Sequence, residues 1–164
     1  MTAQVKFTGT PKENLKALKI LTGALSLGIL FFAIVIIAFI QFNGPVLEGI
    51  NLKYINLLSI VTVIVALSCT VSAFFLYTKK TSGIKHLTIS LQEKLNLYKA
   101  ALILFLALCE GAALLSVVVF FLTGNYTILI ITAVLLGAIL SKMPVTNKLT
   151  GLLNLDWKEQ QELE

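Results

Sequence analysis

Arginine is absent from this 164-residue chain; all 13 of its basic residues are lysines. No site is therefore built on the bidentate fork that arginine offers to phosphate or carboxylate groups. Charge of either sign is scarce. Only 13% of residues are charged, where a soluble domain carries about 25%. That shortage argues against a water-soluble domain and points to the membrane class. One histidine, His86, and two cysteines, Cys69 and Cys109, form no CxxC pair and no Cys/His cluster, so no metal site is expected. His86 lies in a lysine-rich loop and reads as solvated. Both cysteines fall inside apolar runs, where cysteine behaves as a small hydrophobe. No nucleophile stands beside a base and no cofactor motif occurs, so neither an enzyme nor a cofactor is expected. The net charge of +5 is not gathered into one basic patch, which argues against a nucleic-acid partner.

Apolar sequence is plentiful. Hydrophobic residues make up 57% of the chain and its mean hydropathy is +0.93. A membrane span needs about 20 apolar residues. The runs predict four spans, at 20–42, 55–77, 100–122 and 126–141, within one membrane domain covering 1–164. The expected architecture is an all-α bundle of two parallel hairpins. A loop over 78–99 joins the hairpins, a tail over 142–164 follows, and the lipid bilayer is the first partner. The first apolar run is too long for the core of a secretory signal and has no cleavage site after it, so it is expected to stay as an anchor. Twelve lysines fall on one side of these spans and Lys53 alone on the other. The positive-inside rule then places both termini and the middle loop in the cytoplasm.

The chain also repeats itself. "TPKENLKALK" from Thr10 and "SLQEKLNLYK" from Ser90 each begin with a capping box, Thr10 with Glu13 and Ser90 with Glu93, 80 residues apart. Under the same shift Leu15 matches Leu95, Lys19 matches Lys99 and Gly44 matches Gly124. "KKTSGIKHLT" after the second span resembles "SKMPVTNKLT" after the fourth.

The copies differ at Glu110, which corresponds to Leu30 and is the one charge between Ala100 and Lys142. A charge near the bilayer centre costs about 2.5–3.5 kcal/mol on insertion scales. Desolvation favours the neutral acid, so Glu110 is expected to hold its proton unless a cation or donor sits beside it. Around it Ala107 and Gly111, and Ala112 and Ser116, are spaced four apart, as in close helix packing in lipid. Ser68, Thr70 and Ser72 of the second span lie at a similar depth, and Ser68 and Ser72 share a helix face. They are the expected hydrogen-bond partners of the carboxyl. Glu110 is then either a proton or cation site or a neutral post tying helices together. Tyr54, Tyr77, Tyr98, Tyr126 and Trp157 fall near span ends, as interfacial anchors do. "LTGLLNLDWKEQQELE" reads as a short interfacial segment followed by an acidic helix capped at Asp156.

"LYKAALILFLALCEGAALLSVVVFFLTGN", followed by "SKMPVTNKLTGLLNL", resembles a family of small uncharacterised inner-membrane proteins of Bacteroidetes. Glu110-Gly111 and Leu122-Thr123-Gly124-Asn125 carry the likeness, which covers the C-terminal half. Ala112 stands where that family has proline, and Lys142-Met143-Pro144 is a looser form of its last element. The resemblance implies a bacterial inner membrane and no particular activity. Rotor c-subunits and small multidrug transporters share only a mid-helix glutamate, and Glu110 sits in a different helix from theirs. The function expected is that of a non-catalytic accessory or structural subunit, in a homo-oligomer or with other membrane subunits. The rival is a small proton- or cation-coupled transporter using Glu110.

Overall fold

The computed structural model describes residues 10–47, 51–84, 87, 89–153 and 161, apart from the side chains at 146 and 147. Lys6, Lys85, His86 and the stretch from Asp156 through Glu159 lie outside the described residues. Every regular element described is an α-helix: α1 (Pro11–Asn43), α2 (Leu52–Ile84), α3 (Leu91–Thr123), α4 (Thr127–Ser141) and α5 (Thr146–Leu153).

The starts of α1 and α3 follow from their sequence. The Thr10 hydroxyl accepts from the Glu13 backbone N–H at 3.4 Å, and the Thr10 N–H donates to the Glu13 carboxylate at 2.8 Å. Ser90 and Glu93 repeat this reciprocal pair at 3.4 and 3.2 Å. Each box satisfies helix N–H groups that no carbonyl can reach. The ends repeat too. Gly44 (φ 77°) donates to the Ile40 carbonyl and Gly124 (φ 67°) to the Phe120 carbonyl. The 80-residue repeat is therefore expressed as two 33-residue helices that begin and end at matched positions. Glycine is required at 124 twice over. Its φ is left-handed, and a Cβ there would stand 3.1 Å from the Pro45 side chain. In the same turn Leu47 N–H donates to the Leu122 carbonyl at 2.9 Å, closing one of the open acceptors at the end of α3.

α1, α2 and α3 are each long and apolar enough to cross a membrane. At 1.5 Å per residue, 33 residues extend about 50 Å, well beyond a hydrocarbon core of about 30 Å. The expected fourth span is shorter than a full crossing helix, because α4 has 15 residues, or about 22 Å. Its two ends meet different parts of the bundle. Next to its start, Asn125 donates to Ser59 at 3.3 Å and Gln41 donates to the Tyr126 hydroxyl at 3.0 Å. Just past its end, the Lys142 ammonium lies 4.9 Å from the Tyr77 ring.

α3 is the central helix. Half of its most apolar stretch is buried, against 28% for α1 and 17% for α2. α3 packs against α1, α2 and α4, whereas α1 and α2 share little direct contact. This corrects the expectation of two like hairpins: α1 and α2 flank α3 instead of closing on each other. The reason lies in α3, which has the most buried residues of the described helices, among them Leu102, Phe105, Cys109, Ala113, Val117 and Phe120. The outer faces of α1 and α2 carry exposed Leu27, Phe31, Ile34, Ile60, Ile64, Leu67, Val71 and Phe75. A continuous apolar exterior of this kind is unstable in water and suits hydrocarbon.

The repeat breaks after the last apolar run. α2 continues to Ile84, whereas α4 stops at Ser141, three residues before Pro144. Proline lacks the N–H for a helix hydrogen bond and disfavours helical backbone at Met143. The chain then turns into α5, whose Leu149 and Leu153 are buried in the same core as Leu95, Tyr98 and Ile139. This short helix is the segment read from the sequence as interfacial.

Candidate functional site

Glu110 occupies the margin of two faces of α3. On one side Phe105, Leu106, Cys109, Ala112, Ala113 and Ser116 are buried. On the other, Ala100, Ile103, Ala107, Gly111, Leu115 and Val118 are exposed along the helix. The carboxyl is half-buried and has no hydrogen bond or ion pair with any described residue.

The helix opposite explains the missing partner. α2 turns Ala66, Ala73 and Tyr77 into the shared core, with Cys69 packed against it. Thr70, half-buried, donates its hydroxyl to the Ala66 carbonyl within its own helix. Ser68 and Ser72 sit two positions beyond Ala66 and Thr70, which is about 200° around a helix of 3.6 residues per turn. Both are exposed. The expected serine partnership is thus not formed: α2 does pack on α3, but through its alanine and cysteine face.

The two small-residue pairs of α3 divide between inside and outside. Ala112 and Ser116 are buried, and Ser116 donates to the Ala112 carbonyl at 2.9 Å. Ala107 and Gly111 are exposed, and a Cβ placed at Gly111 meets nothing within 4 Å. The carboxyl therefore borders a shallow, open face. No group of three or more His, Cys, Asp or Glu able to hold a metal occurs among the described residues. Cys69 and Cys109 are free thiols in or against the core, as packing residues would be.

A second polar locus lies at the end of the bundle where every described lysine except Lys53 is found. Tyr77 and Tyr98 are buried there, 4% and 2% exposed, with ring centroids 6.4 Å apart. They are core residues and not the interfacial anchors expected from their positions, because α5 and the end of α4 cover them. Tyr54 and Tyr126, at the opposite end, are exposed as anchors would be. Phe105 continues the aromatic stack, 5.5 Å from Tyr77 and 5.1 Å from Phe74. The Lys142 ammonium rests 4.9 and 5.2 Å from the Tyr77 and Phe74 rings. Lys148 donates to the Ser141 carbonyl at 3.1 Å. Between these groups is a cavity of about 400 Å³, bordered by Tyr77, Tyr98, Lys142, Lys148 and Leu152 among others. Nothing in the sequence reading singled out this site. Pro144 between two lysines was the available signal, since it forces the chain to fold back over the tyrosines.

Comparison with protein-family models, with curated proteins and with solved structures finds no match to this chain.

Proposed function

We propose that the chain is a multi-pass protein of the bacterial inner membrane, with four spans and both termini and loop 78–99 in the cytoplasm. It acts as a non-catalytic accessory or structural subunit, through helix contacts in a homo-oligomer or a larger membrane complex. The observation that carries this reading is the open face of α3. Ala107 and Gly111 offer a close-packing surface left exposed by the described residues, and Glu110 stands at its edge without a partner among them. A carboxyl in hydrocarbon gains most from a donor or acceptor on another helix, and small residues let that helix approach. The cytoplasmic orientation is supported by the gathering of lysines at one end of the bundle.

The test is thiol cross-linking in native membranes. In a chain carrying Cys69→Ala and Cys109→Ala, a cysteine at position 107 should join a second copy or another subunit. A cysteine at buried position 112 should not. Equal cross-linking at both positions, or none at 107, overturns the reading.

The second reading is ion coupling, favoured by the same unpartnered carboxyl. It requires that Glu110→Gln abolish a proton or sodium flux measured in proteoliposomes. A subunit that works by contact carries no such flux.

A further inference from the structure

The cavity at the lysine-rich end has a definite chemistry. Two ammonium groups reach it, and neither forms an ion pair with a described residue. Among the described residues, Lys142 meets only aromatic faces and Lys148 only a backbone carbonyl. Glu13 and Glu93, the carboxylates described at this end, are held by their own helix caps. An ammonium has three donors. Lys148 uses one, and Lys142 uses none in a hydrogen bond, since a ring face attracts the charge without accepting a proton along a fixed line. The buried Tyr77 and Tyr98 side chains both border this space, and a tyrosine hydroxyl can donate a hydrogen bond. Two cations and a hydroxyl donor therefore border about 400 Å³ of space that no carboxylate among the described residues lines.

Position narrows the ligand. Tyr77 and Ser141 close apolar runs and Tyr98 precedes one, so the cavity stands at the boundary between hydrocarbon and headgroups. Exposed Leu140 and Val145 beside it suit acyl chains. Basic pockets between helices at this depth bind anionic headgroups. The site is also held in shape: Lys142 is clamped by rings whose partner Phe105 is buried, and α5 is pinned by Leu149 and Leu153.

We infer that this cavity binds a phosphate group, presented by an anionic phospholipid headgroup, between Lys142 and Lys148 with a tyrosine hydroxyl as third donor. The lipid would fasten α5 to the end of α4. The inference needs the lysine-rich end to lie at a membrane surface and does not depend on the open face of α3.

The experiment is native mass spectrometry of the full chain released from nanodiscs of phosphatidylglycerol mixed with phosphatidylcholine. The wild type should retain phosphatidylglycerol in preference to phosphatidylcholine. Removing charge should weaken retention by roughly fivefold per lysine, in Lys142→Gln and Lys148→Gln. Lys142→Arg with Lys148→Arg should keep it, and Lys53→Gln at the far end should leave it unchanged. Melting curves in pure phosphatidylcholine discs check that each variant is folded. If Lys142→Gln does not fold, Lys148→Gln and the arginine pair carry the test. A second arm adds inorganic phosphate to protein in phosphatidylcholine discs. Lysine-dependent stabilisation there as strong as that from phosphatidylglycerol would overturn the lipid assignment in favour of a free anion. Retention that ignores both lysines would overturn the site itself.

Discussion

Replacing Glu110 by leucine separates what holds this chain together from what it holds on to. Inside the chain the carboxyl is half-buried and has no hydrogen-bond partner among the described residues. Its removal deletes no internal bond, and leucine suits a helix flanked by Ile103 and Leu115. The stability of the isolated chain should therefore change by less than about 0.5 kcal/mol, as for a substitution away from any core contact. Phe105→Ala supplies the scale. Phe105 is 1% exposed and meets the Phe74 and Tyr77 rings. Its loss should cost about 3 kcal/mol or more, as other buried aromatic truncations do. Association should respond differently. A hydrogen bond between helices in a membrane averages about 0.6 kcal/mol and reaches about 1.7. Losing one weakens a complex by roughly 3- to 20-fold. The assay is a pair of titrations on the same variants: reversible unfolding of dilute protein in mixed micelles, and dilution of labelled protein into lipid vesicles read by energy transfer. An unfolding cost above about 1 kcal/mol for Glu110→Leu, with association unchanged, would show that the carboxyl braces helices within one chain and would refute the reasoning.

Other expectations follow from single contacts. Gly124→Ala should cost about 1–2 kcal/mol in unfolding, since it combines a left-handed φ with a 3.1 Å approach to Pro45; an unchanged midpoint would contradict the tight turn. Ser90→Ala should cost about 1 kcal/mol by opening the cap of α3, and hydrogen exchange should rise first in residues 91–94. In a chain with Cys69 and Cys109 replaced by alanine, cysteines at positions 53 and 80 should react with a membrane-impermeant reagent from opposite sides of a sealed vesicle. Labelling from one side would contradict an odd number of crossings by α2.

The helix starts and stops were the most legible part of the sequence. Thr10–Glu13 and Ser90–Glu93 are local devices, and local chemistry is enough to form them. Facing was much less legible. α2 is apolar nearly all round, so no stripe marks its inner side, and periodicity alone cannot choose between Ser68–Ser72 and Ala66–Ala73. The choice is made in the packing with α3, where Ala66, Ala73 and Tyr77 join its core and Phe105 stacks on Phe74 and Tyr77. Tyr77 and Tyr98 sat where interfacial anchors sit, and only the fold-back of α5 beyond Pro144 turns them into core. Glu110 was correctly found as the odd charge of its run. Its surroundings were misassigned because the serines at its depth lie on the far side of their helix.

The open face of α3 is tested most directly at Gly111. A Cβ there meets no other described group within 4 Å, and the residue is exposed, so Gly111→Ile should leave the monomer folded while blocking the approach of another helix. The measurement is the mass of the protein in native-lipid particles taken without detergent. The helix-contact reading predicts that the wild type has more than one copy or a bound subunit, and that Gly111→Ile reduces it to a single chain with unchanged helicity. Identical masses for the two, or a monomeric wild type, would contradict it.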